Sequence, residues 1–188
     1  MKVIIIDNED SFTFNLSELI RSCNGIKPEV INSKKVKLKQ LKDFQKIIFS
    51  PGPGLPEDFP VMSQILDIYA EQKSILGICL GHQAICQYYG VGLQNLEKVV
   101  HGQARNFLNQ NNSKLFSNLP KEFIVGLYHS WIVEDDFIGN ELKITGRSEN
   151  GVIMSVQHKK LSIYGVQFHP ESFITEFGQE MMQNFLHS

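Results

Sequence analysis

Nucleophilic chemistry needs a side chain held where it cannot relax, and Cys79 has such a setting. In Ile75-Leu76-Gly77-Ile78-Cys79-Leu80-Gly81-His82-Gln83 an apolar strand runs into a helix with almost no loop, and glycines stand two residues before and after the cysteine. This is the G-x-nucleophile-x-G arrangement with sulfur in place of a hydroxyl. So tight a turn crowds its flanking positions against the helix and the neighbouring strand, where glycine fits best. It puts the sulfur at a helix N-terminus, where the dipole and free N–H groups favour a thiolate. The backbone N–H of Leu80 then points where an oxyanion would form. The competing reading is a small buried cysteine between glycines that merely permit close packing. The junction of strand and helix favours the nucleophile.

A thiol nucleophile needs a base, and often a group to orient that base. Of the six histidines, His82 follows the elbow but points along the helix away from sulfur, His158 and His187 read as solvated, His101 opens a loop, and His129 lies inside a strand-like run. His169 ends the strand Ile163-Tyr164-Gly165-Val166-Gln167-Phe168 and is followed by Pro170-Glu171-Ser172. If the extended path persists, His169 and Glu171 share one face, roughly 6.6–7 Å apart along the chain. A carboxylate there can hold one ring nitrogen and leave the other for a thiol. A metal site at this pair lacks a convincing third ligand. The loop Ser50-Pro51-Gly52-Pro53-Gly54 leaves bare glycine N–H groups at a strand's carboxyl end. It can supply a second oxyanion donor, or be only a rigid turn. It is no phosphate loop, since neither GK[ST] nor GxGxxG occurs.

The elements that must position these groups alternate in the N-terminal half. Strands are expected at Val3–Ile6, Glu29–Asn32, Lys46–Phe49 and Ile75–Ile78, and helices at Ser11–Cys23, Val61–Glu71 and Leu80–Tyr89. Lys34–Lys42 reads as a short solvated helix with Val36, Leu38 and Leu41 inward, and Asn109–Lys114 as a polar turn. Repeated β-α units imply a parallel sheet covered on both faces. The C-terminal half is richer in strands, at Phe123–Val133, Leu142–Gly146, Val152–Gln157 and Ser162–Phe168, before a closing helix at Thr175–His187. The expected fold is therefore α/β, with a mixed, mainly parallel central sheet, flanking helices and antiparallel strands in the C-terminal half.

The chain of 188 residues is expected to form a single domain, 1–188. Its 42% hydrophobic and 20% charged residues exclude a disordered chain, and a net charge of −2 argues against general binding to nucleic acid or anionic membranes. No apolar run approaches a membrane span, and the N-terminus lacks a signal-peptide pattern. Cys23, Cys79 and Cys86 contain no CxxC pair. They fit reduced thiols in the cytoplasm, with Cys23 and Cys86 packed on helix faces.

Together, Asp7-Asn8-Glu9-Asp10-Ser11-Phe12-Thr13, Ser50-Pro51-Gly52-Pro53-Gly54, Gly77-Ile78-Cys79-Leu80-Gly81-His82-Gln83-Ala84, Tyr128-His129-Ser130 and Gly165-Val166-Gln167-Phe168-His169-Pro170-Glu171-Ser172 resemble the class I glutamine amidotransferases. More narrowly, they resemble the small subunit of anthranilate synthase or of aminodeoxychorismate (para-aminobenzoate) synthase, which serve tryptophan and folate biosynthesis. The resemblance runs nearly end to end. It implies hydrolysis of L-glutamine to glutamate and ammonia through a Cys79 thioester, with His169 as base and then acid and Glu171 orienting it. Gly52 and Leu80 would offer oxyanion N–H groups, while Pro53, Gly54, Gln83, Ser130 and Trp131 fall where the family holds glutamine. Ammonia would pass to a larger chorismate-binding subunit near Asn8–Phe12 and His101-Gly102-Gln103. No cofactor or metal is implied for this chain; any Mg²⁺ would belong to the partner. Glu9 stands where the family commonly has Tyr, Trp131 where it has Leu, and Gly-Gln-Ala-Arg follows His101 in place of a Gly-Lys type. Other readings are a non-catalytic scaffold of a synthase complex and a stand-alone cysteine amidohydrolase.

Overall fold

The computed structural model describes residues 1–110, 113–135 and 141–188. Its first strand, β1 (Val3–Asp7), shows how the core divides. Alternate residues of a strand face opposite sides of the sheet. Val3 and Ile5 accordingly join one apolar cluster, and Ile4 and Ile6 another. A run apolar at every position suits a strand buried on both faces.

The same division recurs in β3 (Lys46–Phe49) and β4 (Ser74–Ile78): Ile48, Leu76 and Ile78 pack on one face, Ile47, Phe49 and Ile75 on the other. Helices α1 (Thr13–Asn24) and α4 (Gly178–His187) cover the first face through Leu16, Ile20, Met181, Met182 and Phe185. Helices α2 (Val61–Tyr69) and α3 (Leu80–Tyr88) cover the second through Met62, Ile65, Leu66, Leu80 and Ile85.

The remaining strands are β2 (Glu29–Asn32), β5 (Leu93–Asn109), β6 (Glu122–Val133), β7 (Leu142–Ser148), β8 (Ile153–His158) and β9 (Ile163–Val166). One nine-stranded sheet runs in the order β2-β1-β3-β4-β9-β8-β7-β5-β6. The pairs among β2, β1, β3, β4 and β9 are parallel, and those from β9 through β8, β7 and β5 to β6 are antiparallel. This is the mixed sheet the sequence leads one to expect. Strand β9 is the hinge between the two regimes, parallel to β4 with Ile78 opposite Val166. The two strands that carry the candidate nucleophile and base therefore lie side by side, with matching carboxyl ends.

Several expectations need correction. His101-Gly102-Gln103, read as a loop, lies inside the long strand β5 (Leu93–Asn109), to which no element is assigned from sequence; its pairing with β6 shifts register between Asn95 and Val100 and between His101 and Gln103. Gly102 takes φ 63° at the second shift, where glycine is free of the Cβ penalty. The helix expected over Lys34–Lys42 is two short 3-10 turns, Ser33–Lys35 and Leu38–Asp43, because Val36 between them is extended. The closing helix starts at Gly178, not Thr175, after turns at residues 170–177. The polar turn expected at 109–114 falls partly on residues 111–112, outside the described residues. Among the described residues no helix is long and apolar enough to cross a membrane.

Candidate active site

Cys79 is the single residue between β4 and α3, and it is held at φ 51°, ψ −102°. A non-glycine residue at positive φ is strained and persists only where its surroundings fix it. Here Cys79 N–H donates to Val166 O of β9 at 2.8 Å, and Cys79 O accepts from Gln83 N–H at 3.0 Å. Both flanking glycines are required sterically. A Cβ on Gly77 would overlap the Gly81 carbonyl and lie 2.7 Å from His82 N, and one on Gly81 would lie 2.6 Å from Phe49 O. The pattern read from the sequence is thus a true elbow, wedged between its own helix and β3.

His169 follows β9 and is only 2% exposed. Its backbone N–H donates to Gly126 O of β6 at 3.1 Å, and its carbonyl accepts from Thr175 Oγ1 at 2.6 Å. Regular pairing stops at Val166, so Glu171 is not presented along an extended strand as anticipated. A turn closes instead, with Ser172 N–H donating to His169 O at 3.1 Å. The turn brings Glu171 Oε1 to 2.7 Å from His169 Nδ1, with both side chains buried. Pro170 suits the turn because it lacks the donor that a ladder would need.

The second ring nitrogen, Nε2, is buried without a hydrogen-bond partner among the described residues. The Cys79 thiol is near enough to act on the ring's ionisation, although no aligned hydrogen bond joins it to Nε2. Burial alone would pull the histidine's pKa down. The nearby Cys79 sulfur, together with the hydrogen bond and charge of Glu171, outweighs it, and the imidazole stands well above its ordinary value. Aromatic rings wall this histidine: Tyr128 lies 4.9 Å away and Phe12 5.6 Å away, centroid to centroid. His101 packs edge-on against Tyr128 at 5.3 Å.

The Pro-Gly loop lies against the elbow. A Cβ on Gly52 would come within 2.7 Å of Leu80 Cδ2 and 2.6 Å of Asn8 O. Asn8 anchors this loop, its N–H donating to Ser50 Oγ at 2.9 Å and its side-chain amide to Ser50 O at 3.0 Å. Gly54 takes φ 74° and, with Pro53, is exposed. Across the site, Gln83 Nε2 donates to Trp131 O at 2.9 Å and to Gln167 Oε1 at 3.1 Å. It is therefore Trp131's backbone that meets the elbow helix. Ser130, adjacent in β6, is half-buried.

The structure thus brings Cys79, His169 and Glu171 together, with Gly52 and Leu80 touching on one side and Gln83 and Trp131 linked on the other. Sequence reasoning missed Gln167, whose Nε2 donates to Cys79 Sγ at 3.5 Å. Strand alternation could have found it, because residues two apart share a face and His169 stands out in the sequence. It also missed Phe12 and Tyr128 as the walls of His169.

Of the other histidines, His82, read as lying on the surface or packed on the helix, is packed in the core, 0% exposed and 3.8 Å from Cys86 Sγ. His158 is not solvated, since its Nδ1 accepts the N–H groups of Lys160 at 3.0 Å and Leu161 at 2.9 Å, which closes the turn after β8. Cys86 is fully buried and burial pushes its thiol pKa up, so it lacks the thiolate character of a nucleophile. Among the described residues no three His, Cys, Asp or Glu side chains cluster as metal ligands would.

A doubly covered sheet with a cysteine elbow, an adjacent imidazole and a buried carboxylate has the side-chain types that cysteine-dependent acyl transfer requires. Residues 4–188 match the family model "Glutamine amidotransferase class-I". A Haemophilus influenzae protein provisionally named anthranilate synthase component II is 47% identical over 186 residues, covering 99% of this chain and 96% of its own. "Anthranilate synthase component 2" of Cyanophora paradoxa is 40% identical over 187 residues, covering 98% and 97%. A solved Thermoplasma acidophilum structure, provisionally assigned to GMP synthase, superposes with a TM-score of 0.89 at 21% identity, covering 100% of this chain and 92% of that one. This last likeness speaks for the fold alone. The chain belongs to the class I glutamine amidotransferase family, and it is a glutamine amidotransferase.

Proposed function

We propose that this chain is the glutamine-hydrolysing subunit of an anthranilate synthase and that Cys79, His169 and Glu171 carry the reaction. Cys79 Sγ attacks the side-chain amide carbon of L-glutamine and gives its proton to His169 Nε2. The tetrahedral oxyanion takes hydrogen bonds from the backbone N–H groups of Gly52 and Leu80. Collapse breaks the C–N bond, and His169 returns the proton to the departing ammonia. Water then attacks the thioester and gives a proton to His169, which passes it back to sulfur as glutamate leaves. Glu171 fixes the ring so that Nε2 faces the thiol and steadies the imidazolium. Gly54, Gln83, Ser130 and Trp131 hold the amino acid, and Pro53 fixes the loop between the two glycines. Ammonia passes to a larger chorismate-binding subunit.

The observation that carries this reading is the buried 2.7 Å contact of His169 Nδ1 with Glu171, which leaves the ring's other nitrogen to a thiol on a strained elbow. The relatives' names favour anthranilate over aminodeoxychorismate as the product. The test is Cys79→Ser in the complex with the chorismate-binding subunit. Glutamine-dependent anthranilate formation should vanish while ammonia-dependent formation persists. Retained use of glutamine would refute the role of Cys79, and a different aminated chorismate product would refute the pathway.

A further inference from the structure

We infer that Gln167 is a positioning residue that couples the glutamine-holding side of the site to the nucleophile. This rests on the reading of Cys79 and Gln83 given above and adds a part that reading does not use. Gln167 follows β9 directly, and its backbone N–H is fixed to Met154 O of β8 at 2.8 Å. Its side chain is wholly buried, and its amide, like the imidazole of His169 two residues on, reaches the Cys79 sulfur. The thiol is approached from the same segment by two groups of opposite character: an imidazole that can take its proton, and an amide N–H that donates to sulfur at 3.5 Å.

The other end of the amide is committed as well. Gln167 Oε1 accepts from Gln83 Nε2 at 3.1 Å, and the same nitrogen donates to Trp131 O at 2.9 Å. The series runs Trp131 O, Gln83 Nε2, Gln167 Oε1, Gln167 Nε2, Cys79 Sγ. It settles which way both amides face. If Gln167 were reversed, its nitrogen would meet the nitrogen of Gln83, and its oxygen would meet a sulfur that, once ionised, has nothing to donate. If Gln83 were reversed, its one side-chain oxygen would face the oxygens of both Trp131 and Gln167. With both N–H groups of Gln83 spent on protein acceptors, its carbonyl oxygen is the polar atom left for a ligand. An N–H donor is the matching ligand chemistry, and the ammonium or amide of an amino acid supplies one. A hydrogen bond to sulfur gains strength as the sulfur becomes anionic, so the donor acts on the nucleophile while the acceptor acts on substrate orientation.

The two ends can be separated by substitution. Gln167→Glu keeps an acceptor for Gln83 but removes the amide donor to sulfur and places a carboxylate there. Gln167→Met fills the space and removes both. The readouts are the rate of iodoacetamide alkylation of Cys79 at pH 7, followed by mass spectrometry of its peptide, and the L-glutamine concentration that halves this rate. Melting temperature is recorded alongside. Both variants should alkylate roughly tenfold more slowly, the size of one hydrogen bond to an ionised group. Half-protection by glutamine should stay within about threefold of the parent in Gln167→Glu and weaken roughly tenfold in Gln167→Met. Alkylation at the parent rate in the folded variants would overturn the proposal, as would equal weakening of protection in both. If the buried carboxylate prevents folding, Gln167→Met alone decides, and an unchanged alkylation rate refutes the donor role. Absence of glutamine protection in the parent would instead refute the substrate reading, while the alkylation comparison would still judge Gln167.

Discussion

Replacing His82 by methionine should flatten the acid sensitivity of this protein. His82 is fully buried beneath the elbow; burial lowers its pKa from 6.5 to about 3, with a smaller contribution from His129. His129 is lowered to about 4, first by burial, against a hydrogen bond to Trp131 that raises it. In the unfolded chain each ring takes a proton as pH falls through 6.5, while the folded rings stay neutral until far lower. The unfolded state therefore binds more protons in that window, and stability is lost as pH falls. At pH 5 an unfolded histidine is favoured by a factor of about 30 over one that must stay neutral, and RT ln 30 is about 2 kcal/mol. His82 and His129 together should remove about 4 kcal/mol between pH 7 and pH 5, a large part of a typical domain's stability. Methionine fills a similar space beside Cys86 and does not titrate. The assay is urea unfolding at pH 7, 6 and 5. The His82→Met protein should lose about 2 kcal/mol less than the parent over that range, whatever its stability at pH 7. An identical loss in parent and variant would refute the claim that His82 is buried neutral.

Other expected outcomes follow from the same geometry. Gly77→Ala drives a methyl into the backbone of the elbow helix, so stability should fall by about 1–3 kcal/mol and glutamine turnover by about 100-fold; denaturant unfolding and initial rates check it. Glu171→Gln removes the charge that holds His169 Nδ1 and should cut kcat by a factor on the order of 10²–10⁴ with little change in KM, read from steady-state kinetics. Ser50→Ala leaves the buried N–H of Asn8 without its acceptor and should cost about 1–3 kcal/mol, read as a lowered urea midpoint.

What the sequence disclosed was the part governed by local rules. Strands β1, β3 and β4 carry apolar residues at successive positions, and Gly77 is demanded by a clash with Gly81 and His82 a few residues on, whereas Gly81 meets Phe49 of β3. Strand β5 escaped because its first part is exposed, carries Glu97, Lys98 and Gln103, and is broken by register shifts, so no period of two survives. His158 was misplaced because its burial comes from a turn that bonds to its own ring and from the ring of Tyr89, 5.1 Å away. The set Cys79, His169 and Glu171 was legible as types and spacing, but its assembly depends on β9 lying beside β4, a long-range pairing of Ile78 with Val166 that no local pattern encodes. The approach of Glu171 to His169 was anticipated for the wrong local reason: a turn, and not an extended strand, makes the contact.

The most direct measurement is covalent labelling of the parent protein with a glutamine-like diazo ketone, followed by peptide mapping. A single adduct should form on Cys79 and be suppressed by L-glutamine, and labelling should be much slower when His169 is replaced by alanine. A label on Cys23 or Cys86, an adduct at Cys79 indifferent to glutamine, or no adduct in active protein would contradict this.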